Sequence, residues 1–558
     1  MKTTKTTGAA ALAALALLFA APLAHAAAPA GQAACEALAH APAVFPDATT
    51  RIVSADYRPA APGGLPAHCE IIGAIQERDG LNGQHYAIRF HLRLPDAWAA
   101  RFLFEGGGGL DGEIGNATGP GNAVAQGFAV VSQDSGHSNA TNSDPAHNGQ
   151  AAFGFDPVAR ENYGHASLKM TADAAKALIR AYYGKAPAHS YFVGCSKGGQ
   201  EGMAFAQRYP GEFDGILVTA PGFALPRAAI AEAWDTQSFA ALARQPDGKV
   251  AFAGFSKVFS AADFTLARTA ILDACDDLDG LKDGIVADVA RCTDVRVLPQ
   301  LKAKTCAGAK TETCLSAAQV TALIRVVHGP RDGTGKALYS DWAWPSGIAA
   351  PDWAMWKTGT PDGRVPALNV FLGAPALASV FMTPPVAIGG DPQSLLDYQL
   401  AFDFDRDAPR IYAAAAPFTH SSWDDISARS SDLTGLHAHG AKMLVVHGES
   451  DPVFSLKDTE AWYDEVAHRF KDARAFVRLF PVPGMCHCGG GIATDRYDAF
   501  AALTAWVEAG KAPDAILATA GPNTPWPGRT RPLCPYPLVA RYDGKGDPER
   551  AESFSCKA

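Results

Sequence analysis

The sequence predicts an α/β protein, a mostly parallel β-sheet covered by helices on both faces and interrupted by one long insertion. From about Tyr86 to Gly222, strand-length apolar runs alternate with helical patterns, and the same rhythm resumes after about Gly440. The length of 558 residues also implies roughly two to four structural units, or one large domain carrying an insertion. Composition is that of an ordinary globular chain, with 48% apolar residues, 19% charged residues and a net charge of −9. No long run of like charge points to a nucleic-acid partner.

The first residues, MKTTKTTGAAALAALALLFAAPLAHAAAPA, place Lys2 and Lys5 before an apolar run from about Ala9 to Ala21 and an Ala24-His25-Ala26 site. This is the layout of a secretory signal over residues 1–26, and the run is too short to span a bilayer. A retained anchor is the alternative. No later stretch of about 18 apolar residues exists, so a periplasmic or secreted protein with no membrane partner is expected. Export makes disulfides the default for the eleven cysteines, with an odd one left over.

The domain built on this sheet is expected over 27–222 and 440–558. YAIRFHLRLP and RFLFEGGGG read as strands, GFAVVSQDSGH as a buried strand, and LKMTADAAKALIRAYYG as a helix closed by Gly184. HSYFVGCSKGGQEGMAFAQRYP reads as strand, sharp turn and helix, and GILVTAPG as the next strand. Residues 223–439 lose this rhythm; they are rich in Pro, Gly, Trp and Asp and read as an irregular lid domain capping the sheet. Afterwards KMLVVHGESDPVF and AFVRLFPVPG read as strands, each followed by a helix, LKDTEAWYDEVAHRF and RYDAFAALTAWVEAG.

Gly194-Cys195-Ser196-Lys197-Gly198 fits G-x-S-x-G between a strand and a helix, the context in which an α/β hydrolase holds its nucleophile on a strained turn. A hydroxyl is a weak nucleophile and needs a base oriented by a third group. On this fold the chain order is serine, acid, histidine, so Asp451 and His487, each after a late strand, are the expected partners of Ser196. Glu449 is the competing acid. His447 precedes the acid and is expected to pack nearby, and His137 reads as a surface-loop residue or a substrate contact. The glycines 106–109 bring backbone N–H groups near a substrate, and the N–H groups of Gly109 and Lys197 are the expected oxyanion donors. A plain flexible loop is the alternative.

Two other stretches attract attention. In CDDLDGLKDGIVADVARC, Asp276, Asp279 and Asp283 lie at short spacing with Gly280 and Gly284, which suits calcium, or else an acidic solvated turn. In GMCHCGGG, His487 lies between Cys486 and Cys488. A zinc centre is disfavoured there, because zinc wants about four converging ligands and neighbouring side chains diverge.

Cys195 directly before Ser196 and Cys488 directly after His487 resemble the paired-cysteine arrangement of the tannase and feruloyl esterase family. EGGGGLDG, VPGMCHCGGG and RTRPLCPYPLVARY extend the resemblance over nearly the whole mature chain, from Cys35 onward. It implies an α/β-hydrolase fold with a large inserted lid domain, and disulfides Cys35–Cys69, Cys195–Cys488, Cys275–Cys292, Cys306–Cys314 and Cys534–Cys556, leaving Cys486 unpaired. It further implies structural Ca2+ held by the side chains of Asp276, Asp279 and Asp283 and the carbonyls of Leu281 and Ile285. The implied activity is a secreted serine esterase acting on small aromatic esters of feruloyl, galloyl or terephthaloyl type. Phe454 matches an aromatic that contacts the acyl group, and Trp356 is either its lid-side counterpart or a structural residue. Members specialised for terephthalate mono-esters carry a lid arginine, for which the corresponding stretch offers Arg364. The alternative of another class is an exported, non-catalytic binding protein on the same scaffold.

Overall fold

The computed structural model describes residues 1–4, 31–40, 45–360 and 362–558; nearly all of the expected signal segment, with Lys5 and Ala26, lies outside the described residues. One central sheet organises the rest. Its strands are β1 (Arg51–Arg58), β2 (His68–Asp79), β3 (His85–Pro95), β4 (Arg101–Glu105), β5 (Phe128–Gln133), β6 (His189–Cys195), β7 (Gly215–Thr219), β8 (Lys442–Gly448) and β9 (Val477–Val482). The spatial order is β1-β2-β3-β5-β4-β6-β7-β8-β9. Pairing is antiparallel from β1 through β3 to β5, and parallel from β5 to β9.

The parallel strands read as apolar runs because both their faces are covered. Within β4, Phe102 and Phe104 pack into one core with Phe192, Val218 and Phe205, while Leu103 points to the other with Tyr191, Leu444 and Trp506. Helices Ser167–Tyr183 and Lys197–Arg208 cover the first face, and helix Ala499–Ala509 covers the second. Gly184 ends the first of these with φ 72°, as the sequence predicts. This is the α/β-hydrolase fold.

Residues 220–441, between β7 and β8, contribute no strand to the sheet. They are more regular than their sequence suggests. Helices Leu225–Ala240, Ala261–Cys275, Asp294–Ala303, Ala317–Val327 and Pro392–Ala401 surround a second core containing Phe239, Phe264, Ile271, Leu323 and Trp353. Capping boxes at Ser260–Asp263 and Ser316–Gln319 start two of these helices. Helix Leu225–Ala240 escapes a periodicity reading because it is buried almost all round, including Glu232 and Asp235. β1 and β2 also lie outside the predicted elements.

The five disulfides pair as the resemblance implies, and Cys486 is a buried free thiol. Among the described residues, no helix is long and apolar enough to cross a membrane.

Candidate active site

Ser196 follows the last residue of β6 with φ 63° and ψ −119°, a conformation that costs a non-glycine residue about 1–3 kcal/mol. Its surroundings hold it there. Its N–H donates to Thr219 O at 3.1 Å, and its carbonyl accepts from Gly222 N and Gln200 N, both at 3.0 Å. The flanking glycines are required by closeness. A Cβ at Gly198 would stand 2.7 Å from Gly107 O, one at Gly199 would stand 2.7 Å from Pro221 Cα, and one at Gly194 would overlap the Gly198 carbonyl.

Asp451, after β8, is buried. Its Oδ1 accepts from Val453 N at 2.7 Å and Phe454 N at 3.1 Å, and its Oδ2 lies 2.9 Å from His487 Nδ1. Burial favours the neutral acid, but the His487 and His447 imidazoles outweigh it and hold this carboxyl well below the usual carboxylate range. A carboxylate on Nδ1 fixes the tautomer and leaves Nε2 of His487 as the acceptor. The disulfide Cys195–Cys488, with 5.9 Å between its Cα atoms, ties the neighbours of Ser196 and His487 together. Cys488 itself has φ 64°, and Gly484, Gly490 and Gly491 also have positive φ, so the histidine loop coils tightly.

The competing residues have other work. Glu449 accepts from Ser346 N and Oγ, Ser450 Oγ and Gly484 N at 2.6–3.0 Å, joining the insertion to the histidine loop rather than orienting His487. His447 bonds Thr459 Oγ1 at 2.8 Å and Phe454 O at 3.1 Å, fixing the acid loop. His137 is not a surface-loop residue. It is buried and stacked on Phe153 with centroids 3.9 Å apart, and burial pushes its imidazole down to about 3. The sequence hides this because QDSGHSNA is polar, while the ring that covers it, Phe153, lies outside that stretch.

Gly109 has φ 60° with open space where a Cβ would stand. Lys197 opens its helix, where first-turn N–H groups have no intrahelical acceptor. The Lys197 side chain turns inward, 1% exposed. Its Nζ lies 2.9 Å from Glu201 Oε1 and 3.1 Å from Asp111 Oδ2, beneath the Tyr163 ring. Glu201 Oε2 also accepts from Gly107 N at 3.1 Å, so this buried cluster supports the glycine loop.

One cavity brings Gly109, Ser196, Lys197, Trp356 and Phe454 together. The rings of Phe454 and Trp356 stand edge-on to His487, with centroids at 5.3 and 5.4 Å. Leu225, Glu232 and Phe381 of the insertion and Tyr163, ahead of β6, also line it; none carries a signal in the sequence, since only the tertiary fold brings them there. Arg364 is exposed, pairs with Asp362 at 3.2 Å and does not line the cavity. A larger surface groove beside Lys336 and Asp405 contains none of the expected site residues.

The acidic loop lies elsewhere in the insertion. Asp276 Oδ1 accepts from Gly284 N at 2.9 Å, Asp279 Oδ1 from Leu281 N at 3.1 Å and Asp283 Oδ1 from Ile285 N at 3.0 Å. Asp283 also pairs with Arg531. Burial, with the neighbouring carboxylates adding to it, pushes Asp279 up to about 7. Among the described residues, no three His, Cys, Asp or Glu side chains already converge as a metal centre. Cys486 points away from Cys195 into the core of the insertion, and burial pushes its thiol well above the ordinary value.

The chain is similar to known proteins over most of its length. The sequence matches the tannase and feruloyl esterase family over residues 69–557. The chain is 41% identical to the mono(2-hydroxyethyl) terephthalate hydrolase of Piscinibacter sakaiensis, over 95% of this chain and 92% of that protein. It is 31% identical to a probable feruloyl esterase of Arthroderma benhamiae, over 83% and 81% of the two chains. Among solved structures, feruloyl esterase B of Aspergillus oryzae superposes with a TM-score of 0.71 at 24% identity, covering 94% of this chain and 99% of that one. The tannin acyl hydrolase of Aspergillus niger superposes with a TM-score of 0.66 at 20% identity, covering 95% of each. The chain belongs to the tannase and feruloyl esterase family and is a carboxylic ester hydrolase.

Proposed function

We propose that the protein is an exported serine esterase of aromatic carboxylic esters, with Ser196, His487 and Asp451 as its triad. The observation that carries this is the coupling of a buried Asp451–His487 hydrogen bond to the strained Ser196 through the Cys195–Cys488 bridge. Ser196 Oγ attacks the ester carbonyl carbon while His487 Nε2 takes its proton, and Asp451 stabilises the imidazolium. The N–H groups of Gly109 and Lys197 receive the oxyanion. His487 returns the proton to the departing alcohol, and water then hydrolyses the acyl-enzyme by the same steps. Trp356, Phe454, Tyr163 and Phe381 offer flat apolar walls to an aromatic group. Export fits five disulfides, which persist in oxidising compartments.

The acidic loop suits structural Ca2+. Among the described residues no basic side chain is hydrogen-bonded to the half-buried Asp276 or the buried Asp279, and charges of one sign withdrawn from water favour a counterion. Their side chains, that of Asp283 and the carbonyls of Leu281 and Ile285 would hold it; the ion would neutralise the loop rather than join the reaction.

A fluorophosphonate probe tests the nucleophile. We expect stoichiometric labelling of the wild-type protein and none of Ser196→Ala, together with loss of aryl-ester turnover. Equal labelling of both proteins would remove the reading.

A further inference from the structure

Helix Leu225–Ala240 begins beside the nucleophile, since Gly222 N donates to Ser196 O at 3.0 Å. Leu225, Ala228, Ala229 and Glu232 form one stripe along it, and all four line the cavity that holds Ser196. Glu232 lies seven residues beyond Leu225, which is about 10 Å along the helix axis. That reach is of the order of a phenylpropenoyl group measured from its ester carbonyl to its para position.

Glu232 is 8% exposed, and among the described residues its carboxyl has no hydrogen-bond partner. It fills the space left by the absent side chain of Gly373, where a Cβ would collide with Oε2. Lys357, the cation whose charge bears on it, is committed to Asp235 in a buried ion pair. An ionised Glu232 would therefore be uncompensated, and burial pushes its carboxyl up to about 8. The cavity is otherwise walled by apolar and aromatic side chains apart from the Ser196 and Lys197 end. Gly109 and Lys197, the proposed oxyanion donors, line it beside Ser196, so an acyl group whose carbonyl sits on those donors can extend along it towards Glu232.

We propose that Glu232 is a specificity-determining residue that binds a hydroxyl on the aromatic acyl group. A protonated carboxyl both donates and accepts a hydrogen bond, which matches a phenolic hydroxyl. A free carboxylate in the same place would be a buried anion without a cation. The inference rests on the serine-esterase reading above and narrows its substrates to esters of hydroxylated aromatic acids, against esters whose acid part carries a second carboxylate.

The test compares methyl 4-hydroxycinnamate with methyl cinnamate, which differ only in that hydroxyl. The wild-type protein should favour the hydroxylated ester by about tenfold or more in kcat/KM. Glu232→Leu should collapse the ratio towards one by losing rate on the hydroxylated ester. Glu232→Gln, whose amide also donates and accepts, should restore most of the preference, and thermal melting should show both variants folded. A wild-type ratio near one, or a ratio that Glu232→Leu leaves intact, overturns the proposal. Turnover of 4-nitrophenyl acetate by the wild-type protein, whose acyl group is too short to reach Glu232, reports the serine-esterase reading separately. Acetate turnover with an indifferent hydroxyl ratio sinks Glu232 alone, whereas no acetate turnover sinks the esterase reading and the proposal with it.

Discussion

Ser196 and Lys197 are adjacent in sequence and differ in what holds them. Ser196 is kept in its left-handed conformation by main-chain hydrogen bonds and by glycines that let backbone approach backbone. Lys197 contributes its N–H to the proposed oxyanion site, while its side chain neutralises Asp111 and Glu201 in the interior. Replacing Lys197 by Met leaves two buried carboxylates facing each other, and removal of one partner from a buried ion pair costs roughly 3–5 kcal/mol. Because the donor is main chain, turnover by the folded protein should fall far less than for Asp451→Asn, for which a loss of about 10⁴-fold in kcat is expected. Melting curves and aryl-ester kinetics on the two variants check this. A Lys197→Met protein as stable as wild type, but as inactive as Asp451→Asn, would place the ammonium itself in catalysis. At this scale the sequence showed Ser196, Asp451 and His487, because each sits in a loop directly after a recognisable strand. It concealed His137 and Glu232, because a polar side chain in a polar or alanine-rich stretch reads as solvated until distant segments cover it.

The strands that carry the site were legible, since β3 to β9 are apolar runs bounded by glycine, proline or charge. β1 was not, because RIVSADYR is an edge strand whose residues alternate between exposed and half-buried. Helix Leu225–Ala240 of the insertion was obscured for the opposite reason, burial around most of its circumference. The histidine loop, 484–491, carries one covalent cross-link. Met485 packs under the sheet, Cys486 enters the core of the insertion, and Cys488 bonds Cys195. Neighbouring side chains of the loop thus diverge, whereas zinc wants about four converging ligands. Without the bridge, His487 should lose its placement relative to Ser196, and displacement by about 1 Å can cost on the order of 100-fold in rate. Cys195→Ser with Cys488→Ser is therefore expected to lower kcat by about that factor and to change KM little. Steady-state kinetics on methyl ferulate decide it, and an unaltered kcat would show that the loop is held without the disulfide, by Glu449 with Ser346 and by Asp352, whose Oδ2 accepts from Gly491 N at 3.0 Å.

At the scale of the whole molecule, the acidic loop joins the insertion to the C-terminal segment. Arg529 donates to the Asp283 carbonyl at 2.6 Å, and Arg531 pairs with the Asp283 carboxylate. Arg541 reaches Leu278 O at 3.0 Å and Asp288 Oδ2 at 2.9 Å, and Tyr542 N donates to Asp279 O at 3.2 Å. These arginines compensate Asp283 and Asp288 and, among the described residues, leave Asp276 and Asp279 with no basic side chain hydrogen-bonded to them, within a loop that Cys275–Cys292 prevents from spreading. An ion binding there stabilises the folded chain in proportion to its occupancy, by about 2.7 kcal/mol at a concentration of ~100 times its Kd. EGTA should therefore lower the melting temperature by several degrees, added Ca2+ should restore it, and Mg2+, which demands a tighter octahedral shell, should not. Because the loop is remote from Ser196 in the chain and in its contacts, chelation at a temperature where the protein remains folded should leave labelling of Ser196 by the fluorophosphonate intact. Asp279→Asn should blunt the response to calcium and, by removing a buried like charge, make the calcium-free protein no less stable than calcium-free wild type. A melting temperature indifferent to EGTA and to excess Ca2+ would remove the ion from the structure and assign the clamp to the arginines and the disulfide alone.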